Sequence, residues 1–152
     1  MKTQQTTISE VRLVYWTRIK ASERLQVKCS KDAFDIFMEN WDLDSIEHIE
    51  EFKLLLMNRS NSVLGIMPVS KGGLFKTVTD VRVILQYAIR VNASGIIICH
   101  NHPSGKVQPS ESDIAITRKI KESGIVMDIQ LLDHLIIVPE SNCFSMGDEG
   151  IV

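Results

Sequence analysis

Two histidines separated by one residue, His100 and His102, directly follow the most apolar stretch of the chain, GIIIC. Side chains two residues apart on an extended segment project to the same side, so both imidazoles are expected at the carboxyl end of a buried strand. Open α/β sheets bind their ligands at that end of the strands. Two neutral imidazoles there are good ligands for a first-row transition metal, although histidines with this spacing are also frequent by chance.

A carboxylate and a hydroxyl follow in a position that could complete such a site. Pro103 and Pro109 bracket a loop that returns the chain to a helix, and Asp113 lies in the first turn of that helix. The Asp113 carboxylate could therefore face the histidines. Ser110 and Asp113 also match the acidic form of a helix capping box, which is a structural role. The two roles are compatible, because a serine hydroxyl can accept a backbone N–H and still donate its own proton.

Two imidazoles and one carboxylate would favour hydrolytic chemistry. Three protein ligands leave one position of a tetrahedral zinc ion open, which is typical of catalytic rather than structural zinc sites. A water molecule there becomes a nucleophile and needs a base that is not itself a ligand, a role that suits a carboxylate. The spacing alone does not identify which of the nineteen acidic residues is that base.

The complete pattern resembles a known family. His100, His102 and Pro103, six further residues, Ser110, two residues and Asp113 match the signature of the JAMM (MPN-plus) metalloproteases. Within that family the chain resembles the RadC branch, bacterial proteins usually labelled DNA repair proteins, in the segments NAS (92–94), HNHPSG (100–105) and LDHLII (132–137). The resemblance covers about residues 45–150.

This resemblance implies a fold, a cofactor and an activity. The implied fold is a cytidine-deaminase-like JAB/MPN domain, an α/β fold whose mixed sheet is flanked by helices. Zn²⁺ would be bound by His100, His102 and Asp113, and the Ser110 hydroxyl would stabilise the oxyanion. The implied activity is zinc-dependent hydrolysis of peptide or isopeptide bonds in a protein or peptide substrate that the sequence does not identify.

The resemblance also implies a glutamate immediately before the first buried strand, in a Glu-Phe step followed by aliphatic residues. Glu51 and Phe52 match this step. Glu50 is the neighbour to exclude, because alternation along a strand sends adjacent side chains to opposite faces and only one can reach the water. We therefore expect Glu51 to be the general acid/base, with Glu50 as the alternative.

A second hypothesis is a non-catalytic module, with or without metal, that recruits protein or DNA in repair or recombination. The complete ligand set argues against loss of catalysis. The formal net charge of −2 does not favour DNA binding, although residues 1–31 carry seven basic and two acidic side chains. Longer RadC proteins carry a helix-hairpin-helix region, and residues 1–44 show no such motif. DNA is thus a weakly supported partner.

Several other reactive or aromatic side chains need an interpretation. Asp133 and His134 resemble an extra ligand pair, but adjacent strand residues face opposite sides, so we favour a buried, hydrogen-bonded histidine. Cys99 is expected to point away from the neighbouring His100 as a core thiol. Trp16 and Trp41 are interpreted as core or edge packing rather than as a stacking platform for bases.

The hydrophobic pattern predicts strands and helices in alternation and therefore a layered α/β domain. Predicted strands are 11–19, 25–29, 52–57, 63–69, 95–99 as the central strand, and 127–132 with 134–138 as one bent strand. Predicted helices are one from the N-cap Ser30 to Trp41, one over 81–91 after Thr79 or Asp80, and one from Ser110 through Glu122, ended by a left-handed Gly124. We expect residues 1–44 to form a strand-strand-helix extension packed on the core of a JAB/MPN domain at 45–152.

Composition restricts the protein class. The 152 residues are 44% hydrophobic and 24% charged, which is ordinary for a globular domain, and no apolar run is long enough for a membrane span. The start MKTQQTTISE lacks the pattern of a secretory signal, which favours a cytoplasmic protein. Three cysteines without CxxC spacing are expected to be reduced and mostly buried. The oligomeric state stays open.

Overall fold

The computed structural model describes residues 9–72, 79–140 and 142–152. A short 3₁₀ turn at Ala21–Glu23 precedes three helices and five strands. In chain order these are α1 (Ser30–Glu39), β1 (Glu51–Met57), β2 (Val63–Lys71), α2 (Val81–Arg90), β3 (Gly95–Asn101), α3 (Glu111–Val126), β4 (Gln130–Val138) and β5 (Asn142–Ser145).

The five strands form one mixed sheet in the order β2-β1-β3-β4-β5. The β3–β4 pair is parallel and the other three pairs are antiparallel. β3 lies in the middle, and all seven of its residues are buried. An apolar run without alternation is typical of a strand covered on both faces, so the predicted central strand and the mixed sheet are confirmed.

Helices cover both faces of this sheet. On one face, residues such as Leu55 and Ile97 pack against Phe37 of α1. On the other face, residues such as Leu54 pack against Ile84 of α2 and Ile120 of α3. The predicted α/β class, with helices flanking a mixed sheet, is therefore confirmed. The helix α1, which the sequence places in an N-terminal extension, contributes to the same core as the sheet.

The two strands expected before α1 are not present. Residues 9–20 are exposed and carry no strand, and within 25–29 only Gln26 forms an isolated bridge, to Ser62. A strand needs a hydrogen-bonded partner strand and a face to bury, and the apolar residues of 9–20 have neither. Val27 is buried in the core and bonded to the Asn61 carbonyl, but its segment is too short and irregular to form a strand. Trp16 is 85% exposed, so its predicted packing role is wrong, whereas Trp41 is 6% exposed and lies in the core as expected.

The predicted start of α1 is wrong by one residue. Cys29, not Ser30, is the N-cap, and the Asp32 carboxylate accepts the backbone N–H groups of Lys28 and Cys29. The Ser30 hydroxyl instead donates to Asp148 at 2.5 Å. Ser30 is therefore the first residue of the helix and its side chain makes a tertiary contact.

The end of α3 also differs from expectation. The helix continues through Gly124 to Val126, and the left-handed residue is Asp128, with φ of 54°. Gly124 serves a close approach instead, because a Cβ there would lie 2.3 Å from the carbonyl oxygen of Ile129. The following segment is one continuous strand, β4, and it forms a hairpin with β5, which shows no periodicity in the sequence.

The three cysteines differ in burial. All three cysteines are free thiols, but only Cys99 is buried, since Cys143 is half-buried and Cys29 is exposed. The expectation that they are mostly buried is therefore wrong.

Across residues 9–72, 79–140 and 142–152, no helix combines the length and apolarity needed to cross a membrane.

Candidate metal centre

The two histidines meet at the carboxyl end of the central strand. His100 is the penultimate residue of β3, and His102 continues the pairing with β4 by donating its backbone N–H to the Ile137 carbonyl at 2.8 Å. Because the chain is still extended there, both side chains project to the same face. Their Nε2 atoms are 2.9 Å apart.

The first turn of α3 brings Asp113 to the histidines. Its Oδ1 lies 3.4 Å from Nε2 of His100, and its Oδ2 lies 3.4 Å from Nε2 of His102. Ser110 is the N-cap and accepts the Asp113 backbone N–H at 3.2 Å, while Asp113 Oδ2 accepts the N–H of Ser110 at 2.7 Å. The capping box and the approach to the histidines therefore occur together.

These three side chains could hold a metal ion. Their ligand atoms all lie within 4.8 Å of one another. A tetrahedral site with metal–ligand bonds of about 2.0 to 2.2 Å separates neighbouring ligand atoms by roughly 3.3 to 3.6 Å, close to the distances found here. His102 Nδ1 lies 2.6 Å from the Lys106 carbonyl, so it carries the proton and leaves Nε2 available to a metal.

The charges of the group suit a cation. Burial raises the pKa of Asp113, but the nearby imidazoles of His100 and His102 and the hydrogen bond from Ser110 outweigh it and hold that pKa far below its usual range. Asp113 is therefore ionised at neutral pH. The hydrogen bond with Asp113 raises the pKa of His102, and the carboxylate of Glu50 contributes in the same direction.

Glu51 does not lie with this group. Its carboxylate accepts hydrogen bonds from Lys71 at 2.9 Å and from Ser45 at 3.0 Å, and Lys53 Nζ is 3.7 Å away. Phe52 stacks on His100 with a centroid distance of 5.9 Å, so it occupies the histidine face of β1. Glu51, the next residue, faces the opposite side. The Glu51 carboxylate is thus bound by Lys71 and Ser45 rather than placed beside His100, His102 and Asp113.

Glu50 is the glutamate on the histidine side. Phe52 is paired with His100 at the end of the antiparallel β1–β3 ladder. The Glu50 carbonyl still accepts the Gly72 N–H, so the chain stays extended, and alternation puts Glu50 on the same side as Phe52. The influence of Glu50 on the pKa of His102 agrees with this placement. Alternation therefore separates the two carboxylates, with Glu50 on the side of the histidines and Glu51 on the other.

Comparison with known proteins identifies the family. A family model described as RadC-like JAB domain matches residues 27–151. The chain belongs to the RadC-like JAB domain family. The match begins before α1, at a residue that the sequence interpretation assigns to the N-terminal extension.

Similar bacterial proteins carry the name UPF0758 protein. The Flavobacterium johnsoniae protein is 43% identical over 137 residues, which is 88% of this chain and 58% of the relative. The Salinibacter ruber protein is 39% identical over 131 residues, covering 86% and 54% respectively. The Clostridium perfringens protein is 43% identical over 124 residues, covering 80% and 53%. The chain thus spans a little over half the length of these relatives.

Asp133 and His134 of the JAB domain face opposite sides of β4, as expected. Asp133 accepts hydrogen bonds from Ser145 at 2.6 Å and from the Gly147 N–H at 2.8 Å, which anchors the segment after β5. His134 is fully buried, and its Nε2 lies 2.8 Å from Nδ1 of His100. It is therefore a buried, hydrogen-bonded histidine that contacts a candidate ligand.

Sequence reasoning missed Thr117. Its Oγ1 lies 2.6 Å from Nδ1 of His134 and 2.5 Å from the carbonyl oxygen of Asp113. Thr117 is four residues after Asp113 and therefore on the same side of α3. That spacing was the one available signal.

Proposed function

We propose that this JAB domain is a zinc-dependent hydrolase of peptide or isopeptide bonds. The observation that carries the proposal is the group of His100, His102 and Asp113 with a non-ligand carboxylate, Glu50, on the same face. Two imidazoles and one carboxylate form the ligand set of a catalytic zinc site with an open position. The match to the JAMM signature supports the same reaction class.

The proposed roles follow from the positions of the side chains. His100 Nε2, His102 Nε2 and a carboxylate oxygen of Asp113 would hold the zinc ion, which when bound would act as a Lewis acid and promote ionisation of water. Glu50 accepts the proton of the attacking water and transfers it to the leaving nitrogen. This assignment replaces Glu51, whose carboxylate is engaged by Lys71.

Ser110 is suited to contact the substrate. It is exposed at the N-terminus of α3, and its hydroxyl donates to Asp113 Oδ2 at 2.7 Å. A hydroxyl there can turn to donate to the carbonyl oxygen under attack and stabilise its developing negative charge. Glu50, His102 and Asp113 are only half-buried, so the group is open to solvent and to a polypeptide.

The test compares two adjacent substitutions of equal size. Metal analysis of wild type should find about one zinc per chain. Glu50→Gln should retain zinc and reduce cleavage of a peptide library by roughly two to four orders of magnitude, because it removes only the proton acceptor. Glu51→Gln is the matched control and should retain both zinc and cleavage.

Three outcomes would contradict the proposal. A folded wild-type protein that takes up no zinc would exclude the cofactor. Cleavage shared equally by wild type and Glu50→Gln would exclude Glu50 as the base. Loss of cleavage in Glu51→Gln alone would return the role to Glu51.

The exposed N-terminal segment favours a second candidate, a module that recruits DNA or protein in repair. Trp16 and Arg18 are both exposed, and an aromatic ring beside basic groups is typical of surfaces that bind single-stranded nucleic acid. Binding of this kind weakens steeply with salt. Retention on DNA that falls as salt rises would support it, and no retention at low salt would exclude DNA.

The free thiols suit the reducing cytoplasm, where we place the protein.

A further inference from the structure

His134 lies between a candidate metal ligand and a threonine that the proposed mechanism does not use. Its Nε2 is 2.8 Å from Nδ1 of His100, and its Nδ1 is 2.6 Å from Oγ1 of Thr117. The ring is fully buried. Both ring nitrogens of His134 therefore make hydrogen bonds, and neither partner carries a negative charge. Burial without such a charge favours the neutral ring.

The direction of each hydrogen bond can be deduced from Thr117. Its Oγ1 lies 2.5 Å from the carbonyl oxygen of Asp113 and 3.5 Å from Sδ of Met146. A carbonyl only accepts and is a far better acceptor than a thioether, so the single hydroxyl proton points to Asp113. Oγ1 must then accept from His134, which places the proton of the neutral ring on Nδ1. His134 Nε2 therefore accepts from the Nδ1–H of His100.

This order of donors prepares His100 for a metal. With its proton on Nδ1, His100 directs the lone pair of Nε2 toward His102 and Asp113. The ring of Phe52 stacks on the ring of His100, and the two planes are inclined by only 9°. This contact restricts the orientation of His100. The chain of hydrogen bonds begins at one ligand, His100, and ends on the backbone of another, Asp113.

We propose that His134 and Thr117 are positioning residues that select the metal-binding tautomer of His100 and couple it to the first turn of α3. The inference rests on the proposed function, because it concerns the same zinc site. Partners of this kind orient ligands and usually change metal affinity about 10- to 100-fold when removed. Neither residue would contact the metal or the substrate.

The test measures zinc affinity and the proton position on His134. Zinc binding is measured by competition with a fluorescent chelator in wild type, Thr117→Val, Thr117→Ser and His134→Leu. Thr117→Val keeps the shape but removes the hydroxyl, so affinity should fall about 10-fold or more, and Thr117→Ser should restore it. His134→Leu should lose at least as much. Ile120→Val removes a methyl group from the same helix and core, and should leave affinity unchanged.

Nitrogen NMR of the wild-type protein without zinc provides a second readout. We expect the proton of His134 on Nδ1 and none on Nε2, and the opposite tautomer would overturn the inference. Equal zinc affinity in wild type, Thr117→Val and His134→Leu would also overturn it. A protein that binds zinc with the expected variant effects but cleaves no peptide would contradict the proposed function and leave this inference standing. A wild type that binds no zinc would contradict both.

Discussion

Glu50 and Glu51 are adjacent in the chain, but their carboxylates have different surroundings. Glu51 is almost fully buried on the α1 face, where Lys71 and Lys53 neutralise it. Glu50 is half-buried beside the candidate ligands. A proton acceptor must be able to change its charge during turnover, and a carboxylate held by two ammonium groups resists protonation. At the residue scale, the proposed catalytic role and a stabilising role therefore belong to neighbouring side chains.

The structural role of Glu51 predicts a pH-dependent loss of stability in Glu51→Gln. Burial raises the Glu51 pKa, but hydrogen bonds from Lys71 and Ser45 and the charge of Lys53 outweigh it and lower that pKa below its ordinary 4.5. A lowered folded pKa stabilises the protein above the ordinary value and ceases to do so as pH falls. We expect Glu51→Gln to lower the free energy of unfolding at pH 7 by about 2 kcal/mol.

Urea denaturation at a series of pH values measures this effect. The difference between wild type and Glu51→Gln should be full at pH 7 and should shrink between roughly pH 5 and pH 3, as the wild-type carboxylate becomes protonated. Glu50→Gln provides the control on the other face. A difference that grew toward low pH would show that the sign of the Glu51 contribution is wrong.

At the scale of elements, the two ends of α3 have different roles. Its first turn carries Ser110 and Asp113, and its last turn packs closely on the chain that enters β4. Gly124 permits that contact, because any Cβ would lie 2.3 Å from the Ile129 carbonyl oxygen. The Ile129 N–H also donates to the Gly124 carbonyl at 2.8 Å, so the backbone cannot move aside without losing a hydrogen bond.

Gly124→Ala should therefore destabilise the protein, although alanine is the better helix former. Helix propensity favours alanine by about 1 kcal/mol, whereas overpacking costs typically 1 to 3 kcal/mol and more when backbone must shift. We expect a net loss of about 1 to 2 kcal/mol, measured from the midpoint of urea unfolding.

Gly65→Ala provides the matched comparison. No heavy atom other than those of its chain neighbours lies within 4 Å of a Cβ at Gly65, which is in the edge strand β2. The substitution should change stability by less than about 0.5 kcal/mol. If Gly124→Ala were as harmless as Gly65→Ala, the close approach at the end of α3 would not be a constraint.

At the scale of the whole molecule, a zinc ion would link β3 to α3, two elements that otherwise meet through side-chain packing. A ligand that binds only the folded state raises stability by about 2.7 kcal/mol at a free concentration 100 times its Kd. For a chain of this length that corresponds to a rise in Tm of roughly 5 to 10 °C. We expect this rise when zinc is added to metal-free protein.

Thermal unfolding followed by circular dichroism checks this prediction. A chelator should reverse the rise. His102→Ala should abolish it, because two remaining ligands hold zinc poorly. Thr117→Ser, which keeps the hydroxyl, should retain it. An equal rise in wild type and His102→Ala would place the zinc elsewhere on the chain.

Much of the fold and of the metal group follows from local patterns. The apolar run of 95–99 indicates a strand buried on both faces, and the periodicity of 81–91 indicates α2, because each pattern depends on neighbours within a few residues. The spacing of His100, His102 and Asp113 also specifies the group, since two short-range rules place those side chains. Pairing between distant segments has no such local signature, and β5 was missed for that reason.

The sequence by itself determined which residue types converge at the end of β3, because alternation along a strand and capping of a helix are local. Only the tertiary structure decided which glutamate joins them. The register that pairs Phe52 with His100 turns Glu50 toward the histidines and Glu51 away. The β3–β4 register, which pairs Ile98 with His134, brings His134 against His100. No strand of the described sheet pairs with residues 9–20. Register arises from contacts between segments far apart in the chain. A shift of one residue would move every side chain of the strand to the opposite face of the sheet.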